Sequence, residues 1–292
     1  MPNNQPRTSI KVISLDTSVD RRRAFTRMTC GINLDWAFFP AHTAITEPLR
    51  YDDRAAVRRC GRPLSPTEIG CYASHFKLWE WLSISNFDQA VILEDDVIVD
   101  WAPIEKITTT RLSDYGINLL RLHTYCPFRW TITKYKFFSI NDHLVRLIGM
   151  VPGAAAYVLS KAAAHNLVSN YSAISAPVDW ILPRYWEHRI INYCVFPFPV
   201  VHRHGPSTIG ERNGARGAVS DRVARIGWRV RDRAERAYAE HFLIKRLPLG
   251  PTRDSGPPFI SAEPTAAIAG RAAQQSDAEL YRKIDTDFSQ TT

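Results

Sequence analysis

The sequence lacks several patterns that mark well-known protein classes. No run approaches the roughly 18 apolar residues that a membrane-spanning helix needs. The polar N-terminus has no apolar core of a secretory signal, so we expect a cytoplasmic protein. The five cysteines include no C-x-x-C pair, which favours buried free thiols over disulfides or a zinc knuckle. Neither G-x-G-x-x-G nor a Walker A loop occurs, which disfavours the nucleotide enzymes built on those motifs.

What the sequence does contain is the composition of a globular protein. Of its 292 residues, 45% are hydrophobic and 23% are charged, which is enough for a substantial core. Short apolar runs alternate with helical patterns, and this predicts an α/β fold with a mostly parallel sheet. The stretch from the Arg21–Arg23 cluster to Pro63 shows little periodicity and is predicted as loop. The predicted strands cover 10–15, 90–93, 117–122 and 154–159.

Two helix starts are marked by capping residues. Ser65, Pro66 and Glu68 supply an N-cap, a first-turn proline and a capping box, and apolar residues follow at helical spacing. Ser160 is placed to cap a second helix that runs to about Asn170.

Positive charge is concentrated towards the C-terminus. The formal net charge is +8, and residues 203–246 alone carry 11 Lys/Arg against 5 Asp/Glu. An amphipathic helix is predicted over 220–242, inside a basic extension (211–246) that precedes a mobile proline-rich tail (247–292). Two interpretations of the helix stay open: docking on anionic lipid headgroups with Trp228 at the interface, or packing with a solvated arginine face. Nucleic acid is disfavoured as a partner, because the basic segment has few aromatics and no recognisable module.

Three consecutive carboxylates, Glu94, Asp95 and Asp96, end the apolar run 90–93. Carboxylates so placed repel one another and lose hydration unless a cation joins them. Open α/β sheets bind ligands at the carboxyl ends of their strands. Glu94 and Asp96 are two residues apart and therefore point the same way. We predict that they face magnesium or manganese and a diphosphate; the alternative is a solvated acidic turn.

Five segments, in this order, carry a family resemblance: VISLD, LSPTEIGCYASHFKLW with VILEDDV, PGAAAYVLSKAAAHNL, APVDW and, more loosely, FPFPVVHRHGPSTIG. Together they resemble glycosyltransferase family 25, which includes bacterial enzymes of lipooligosaccharide and lipopolysaccharide assembly and related collagen galactosyltransferases. The resemblance covers about residues 9 to 210, and the combination is specific although each segment alone would be weak.

The resemblance implies one catalytic domain, 8–210, with the nucleotide-sugar-binding fold of the glycosyltransferase A type. It implies inverting transfer of a hexose, often galactose, from a UDP-sugar to a glycan hydroxyl, with a divalent metal, expected to be manganese, at the acid triplet. The expected partners are a nucleotide sugar and a lipid-linked or surface glycan, reached by a cytoplasmic enzyme peripheral to the inner membrane face. The alternative is a member that has lost catalysis and only binds glycan or a partner enzyme.

Specific roles follow for residues that match the family's motifs. Asp179 is nominated as the base that deprotonates the acceptor hydroxyl, with Glu94 or Asp95 next; alternatively Asp179 is a helix N-cap. The expected metal ligands are Asp96 and Glu94, with His202 added because imidazole accepts manganese; the family usually has glutamine there, so His202 departs from its pattern. His204 alternates with His202, and Ser207 and Thr208 match a serine–threonine pair of the family. The expected nucleotide-site residues are Ser14, Asp16, Arg23, Glu68, Ser74, Asp95 and His75, which is otherwise a packing histidine.

Overall fold

The structure, a computed structural model, describes residues 5–125, 128–203 and 219–243, with side chains in the last segment described for 225–242. Strands and helices alternate along the chain, which confirms the predicted α/β class. None of the described helices combines the length and the apolar character needed to cross a bilayer.

The strands of the described residues are short, between two and seven residues each. They are β1 (Thr8–Ser14), β2 (Trp36–Pro40), β3 (Arg50–Tyr51), β4 (Gln89–Glu94), β5 (Val97–Val99), β6 (Leu119–Arg121), β7 (Arg129–Lys134), β8 (His143–Ile148), β9 (Ala156–Ser160), β10 (Ala173–Ile174), β11 (Asn192–Phe196) and β12 (Val200–His202).

The α-helices of the described residues range from four to 20 residues in length. They are α1 (Val19–Met28), α2 (Asp53–Cys60), α3 (Pro66–Ile84), α4 (Trp101–Thr109), α5 (Lys161–Asn170), α6 (Val178–Ile181), α7 (Tyr185–His188) and α8 (Val219–Tyr238), with a 3₁₀ turn at Leu112–Tyr115 and a π-helical turn at Ala239–Leu243.

The central sheet has eight strands in the order β2-β1-β4-β9-β6-β11-β8-β7 and is mixed rather than mostly parallel. Parallel pairing joins β1 to β2 and β4, and β6 to β11. In contrast, β9 is antiparallel to both β4 and β6, and β8 pairs antiparallel with β7 and β11. No helix lies between β7, β8 and β9, so no crossover returns the chain in the same direction there.

Helices cover both faces of the sheet with apolar layers. On one face α3 packs against α5, and Tyr72, Phe76 and Trp79 are fully buried in that layer. On the other face Phe25 of α1 and Ile104 of α4 lie in a second layer. The sheet between these layers is buried on both sides, which explains the continuous apolar run in β4.

Helix α3 begins as the capping residues predict. The Ser65 hydroxyl accepts from the Glu68 amide at 3.2 Å, and Glu68 Oε2 accepts from the Ser65 amide at 2.9 Å. A Cβ on Gly70 would lie 2.8 Å from the His42 carbonyl oxygen, so the glycine permits close approach of that segment. The Ser74 hydroxyl accepts from the His42 amide at 2.8 Å and holds the segment in place.

The prediction of loop from the arginine cluster to Pro63 is wrong. This stretch contains α1, β2, β3 and α2. Helix α2 has its own signals: Asp52 caps it by accepting from the Ala55 amide at 2.9 Å, and Gly61 ends it at a φ of 82°. The helix is only eight residues long, so its apolar pattern is too short to stand out in the sequence.

All four described cysteines are free, and the prediction that the thiols are buried is wrong for Cys30. Cys194 is buried, Cys60 and Cys71 are partly buried, and Cys30 is exposed. Cys126 lies outside the described residues.

Two strand pairings bring distant segments to one corner of the sheet. In the β1–β4 pair, Ile13 lies opposite Glu94, so Ser14 ends beside the acid triplet. In the β5–β12 pair, His202 lies opposite Val97, immediately after the triplet. The fold thereby converts three stretches far apart in sequence into one group of side chains.

Candidate active site

The acid corner is the group of Glu94, Asp95 and Asp96 at the end of β4. Glu94 is the last residue of the strand, and the two aspartates form the turn into β5. Asp95 is buried, and the other two side chains are about one-fifth to one-quarter exposed, at 24% for Glu94 and 19% for Asp96. Three carboxylates within one turn repel one another, so each needs a cationic partner or a hydrogen-bond donor.

Asp95 is held by two donors. Its Oδ2 accepts from the Ser14 hydroxyl at 2.7 Å, and its Oδ1 accepts from Arg21 at 3.2 Å. Burial raises the pKa of Asp95, and the hydrogen bonds from Ser14 and Arg21 offset this only in part. With both oxygens engaged, Asp95 braces the turn against β1 and α1.

Asp96 is satisfied on one oxygen only. Its Oδ2 lies 3.2 Å from Arg21 and 3.3 Å from Nε2 of His202. Its Oδ1 is buried and has no hydrogen-bond partner within the part of the chain that the structure describes. Burial acts to raise the pKa of Asp96, but the hydrogen bond and charge of His202, with the charge of Arg21, outweigh it and lower the pKa. An ionised carboxylate with a buried oxygen that has no donor is suited to receive a cation.

Glu94 is oriented through a chain of buried side chains. Trp79 Nε1 donates to the Tyr157 hydroxyl at 2.8 Å, and that hydroxyl lies 2.9 Å from Nδ1 of His75. The other ring nitrogen of His75, Nε2, lies 3.4 Å from Glu94 Oε1. His75 therefore packs in the core and aims Glu94 as well.

The three expected metal ligands lie together. One ligand atom from each of Glu94, Asp96 and His202 falls within 4.8 Å of the others. A second group, Cys71 with His75 and Glu94, is equally compact. Burial raises the pKa of Cys71 well above its ordinary value, with the charge of Glu94 adding to the effect. The first group has the oxygen and imidazole donors that manganese accepts.

Asp179 lies in the electrostatic neighbourhood of the corner but on a separate element. It is in the first turn of α6, whose N-cap is Pro177, so the structure does not place Asp179 as an N-cap. Its charge acts with those of Glu94 and Asp96 to raise the pKa of Cys71 beyond the effect of burial. A carboxylate on a different element from the metal ligands can serve a different chemical role.

A buried arginine supports the segment next to Asp179. Arg121 of β6 is fully buried and donates to the carbonyls of Val151 and Pro152, each at 3.3 Å. A Cβ on Gly153, which has a φ of 128°, would lie 2.8 Å from Nη2 of Arg121. The Gly153 amide in turn donates to the Asp179 carbonyl at 3.4 Å. The guanidinium thus holds the backbone that contacts α6.

Sequence comparison now identifies the family. The chain matches glycosyltransferase family 25 (LPS biosynthesis protein) over residues 7–182, more than half its length. The chain belongs to glycosyltransferase family 25.

Individual relatives of this family 25 chain match it over shorter stretches. It is 30% identical over 101 residues to a glycosyltransferase 25 family member of Aedes aegypti, covering 30% of this chain and 16% of that protein. It is 23% identical over 171 residues to the lipooligosaccharide biosynthesis protein lic2B of Haemophilus influenzae, covering 56% of this chain and 64% of that protein. The match therefore spans less than two thirds of each relative.

Solved glycosyltransferase structures resemble the family 25 chain at low similarity. The galactosyltransferase LgtC in complex with donor and acceptor sugar analogs has a TM-score of 0.35 and 13% identity, covering 75% of this chain and 95% of that one. GlyE of Streptococcus pneumoniae has a TM-score of 0.31 and 10% identity, covering 87% and 66%.

Four of the expected nucleotide-site residues make their polar contacts away from the corner. Asp16 is mostly exposed and pairs with Arg22, and Arg23 is exposed and pairs with Asp20. Glu68 is engaged by Arg62 at 2.6 Å and by the capping box. Ser74 holds the segment at His42, as described above. These four contacts are structural.

The structure also brings in residues that sequence reasoning missed. Arg21, rather than Arg23, reaches the acid corner, because residues two apart on a helix lie on nearly opposite sides. Arg121 carried one signal, a basic residue inside an apolar strand run, whose burial requires carbonyl partners. The expected residues His204, Ser207 and Thr208 lie outside the described residues.

Proposed function

We propose that this family 25 chain is an inverting hexosyltransferase that moves a hexose, with galactose as our first choice, from a UDP-sugar to a hydroxyl of a bacterial surface glycan such as lipooligosaccharide. The observation that carries the proposal is the buried Oδ1 of Asp96, beside Glu94 and His202, which has no hydrogen-bond partner among the described residues. Family membership and the name of the Haemophilus relative support the class of acceptor.

The donor set of the acid corner fits a divalent metal. Glu94, Asp96 and His202 would hold the ion, since two carboxylates and an imidazole suit manganese. Bound there, such an ion supplies positive charge that stabilises a departing diphosphate.

The remaining residues of the corner hold these ligands in place. Ser14 and Arg21 fix Asp95, and the rigid turn that results fixes the backbone of Asp96. Arg21 is one-third exposed, with 32% of its side chain accessible, so its guanidinium is also available to an oxygen of a diphosphate. His75 holds Glu94 from the core side. The site is therefore pre-arranged, and little reorganisation accompanies donor binding.

The acceptor side of the reaction needs a base. Direct displacement at the anomeric carbon inverts its configuration and requires removal of one proton from the attacking hydroxyl. We assign this proton to a carboxylate oxygen of Asp179. The charge of Asp179 raises the pKa of Cys71 together with the charges of Glu94 and Asp96, but Asp179 lies on a different element, α6. Arg121 supports that segment from beneath through the carbonyls of Val151 and Pro152.

A donor screen tests the proposal. Purified protein is incubated with a panel of UDP-hexoses and a soluble glycan acceptor, with manganese or with a chelator, and UDP release is measured. We expect release from UDP-galactose that depends on both manganese and acceptor. Release that is unchanged in chelator would contradict the metal assignment, and no release from any UDP-sugar would contradict the donor assignment.

A catalytically inactive member that binds glycan or a partner enzyme is the alternative. It is favoured by one observation: Arg21 and His202 already offset part of the negative charge of the acid corner. This alternative predicts glycan binding without UDP release under any metal condition, so the same screen separates the two functions.

A further inference from the structure

Helix α8 packs on the domain through its polar side. Asp232 Oδ1 accepts from Arg184 and from Trp186 Nε1, the latter at 3.0 Å. One turn earlier, the ring of Trp228 lies 5.1 Å from the Arg184 guanidinium. The packing continues past the end of the helix, where Ala239 is buried. The earlier interpretation that put Trp228 at a lipid interface is therefore wrong, because its ring is engaged by the protein.

The opposite side of α8 is apolar and faces outward. Ile226 is 62% exposed and Val230 is 64% exposed, and Ala234 and Ala237 are also exposed. At about 100° per residue, these four side chains fall within one narrow sector, opposite Asp232. A helix of a globular domain normally buries such a stripe and exposes its polar side. In α8 the arrangement is reversed.

Arginines border this outward stripe on both sides. Arg229 and Arg233 are exposed along one margin, and Arg231 is exposed along the other. Glu235, which pairs with Arg231 at 2.9 Å, is the exposed acid of this stretch. An apolar stripe with cationic margins is the pattern of helices that lie in the headgroup region of a bilayer.

We propose that the outward face of α8, formed by Ile226, Val230, Ala234 and Ala237 with its arginine margins, docks the protein on an anionic lipid surface. The apolar side chains would enter the headgroup–acyl boundary, and the arginines would contact lipid phosphates. Charge argues against a second copy of this chain as the occupant. Two such faces packed together would set arginine margins against each other.

This inference rests on the proposed function in one respect: docking on lipid would bring the enzyme to a lipid-linked acceptor. The two are nevertheless separable, because lipid binding is measured without turnover. The stripe is distant in sequence from the acid corner, and its exposed side chains make no contact that orients Glu94 or Asp96.

The test is flotation of the full chain with vesicles of phosphatidylcholine, with and without phosphatidylglycerol. We expect binding that requires phosphatidylglycerol and weakens with added salt. Ile226→Asp should weaken binding roughly tenfold, because it places a charge in the apolar sector. Arg229→Ala and Arg233→Ala should each weaken it about fivefold.

The matched control is Ile84→Asp, which introduces the same charge at a site that is 83% exposed at the end of α3. It should bind vesicles like the unaltered chain, and all variants should keep the same thermal stability and the same transfer to a soluble acceptor. Equal binding by Ile226→Asp and the unaltered chain would overturn the proposal. So would the absence of vesicle binding by the full chain, or a lipid-independent dimer that Ile226→Asp dissociates in sedimentation.

Discussion

Two charged clusters of this protein differ in how their charges are balanced. In the acid corner, three carboxylates meet one arginine, Arg21, and two histidines, His75 and His202. In the second cluster, which we call the α8 anchor, Glu187 and Asp232 meet Arg59 and Arg184. The anchor has as many acids as arginines, whereas the corner has an excess of acid and a buried oxygen of Asp96 without a described partner.

The pKa of Asp95 in the corner is shifted in the opposite direction to that of Glu187 in the anchor, whereas the pKa of Asp96 is lowered like that of Glu187. Burial acts to raise the pKa of Glu187, but the hydrogen bond and charge of Arg184 outweigh it and lower the pKa. At Asp95 burial prevails, and the pKa is raised. A balanced cluster stabilises the fold by itself, and an unbalanced one gains from a ligand that carries the missing charge. We therefore interpret the anchor as structural and the corner as functional.

The strongest way to break this comparison is to neutralise the corner. Asp96→Asn should reduce sugar transfer about a thousandfold, because the open acceptor for the cation loses its charge. The midpoint of thermal unfolding should fall slightly, because the neutral amide loses the ionic contacts with Arg21 and His202 that lower the pKa of Asp96. Steady-state transfer and calorimetry measure the two effects, with Asp114→Asn, at an exposed position, as the control. Transfer near the unaltered rate would refute the functional interpretation of the corner.

The second prediction concerns Asp179, the carboxylate on α6 that we assign as the base. Asp179→Asn should lower kcat about a hundredfold with little change in the KM for the donor, because a general base acts on the acceptor. Separate saturation curves for donor and acceptor provide the check. A large rise in donor KM with unchanged kcat would assign Asp179 to donor binding instead.

The anchor should show the opposite response to substitution. Asp232→Asn should lower the free energy of unfolding by about 2 kcal/mol, because Arg184, with 3% of its side chain exposed, loses one ionic partner and keeps Glu187. Transfer to a soluble acceptor should be unchanged. Chemical denaturation gives the stability, and the double variant Arg184→Met/Asp232→Leu should recover part of the loss. An unchanged midpoint for Asp232→Asn would show that the anchor does not stabilise the fold.

A smaller effect on the free energy of unfolding is expected from the titration of His188, which follows Glu187 of the anchor in the sequence. Burial lowers the pKa of His188 from 6.5 to about 4. Below pH 6.5 the unfolded chain binds a proton that the folded chain excludes, so stability contributed by the neutral ring is lost as the pH falls towards 4. The loss should reach about 1 kcal/mol at pH 5.5. His188→Gln should flatten this part of the stability profile, and a profile identical to that of the unaltered chain would contradict the assignment.

Local patterns in the sequence were sufficient to predict the elements that depend on neighbouring residues. The capping box at Ser65, the cap at Ser160 and the apolar run before Glu94 each lie within a few residues of the structure they specify. The acid corner was foreseeable for the same reason, since its three carboxylates are consecutive. Bringing His202 beside Asp96 depends on the β5–β12 pairing, which neither local pattern nor the family resemblance predicted.

Features that depend on partners distant in sequence were missed or misassigned. The antiparallel placement of β9 depends on the β7–β8 hairpin, whose half-buried strands carry a weak pattern. The side of α8 that packs was unpredictable from the helix alone. Its polar side packs because Arg184, on another element, offers charge to Asp232 and a cation to Trp228.

The central claim is that the excess acid of the corner receives a divalent cation together with a sugar diphosphate. The most direct test is titration of manganese into the full chain in the presence of UDP, followed by electron paramagnetic resonance of the free ion, for the unaltered chain and for Asp96→Asn. The account predicts one bound manganese per chain, strengthened by UDP and lost in Asp96→Asn. Equal manganese binding by the two proteins, or no effect of UDP on binding, would contradict it.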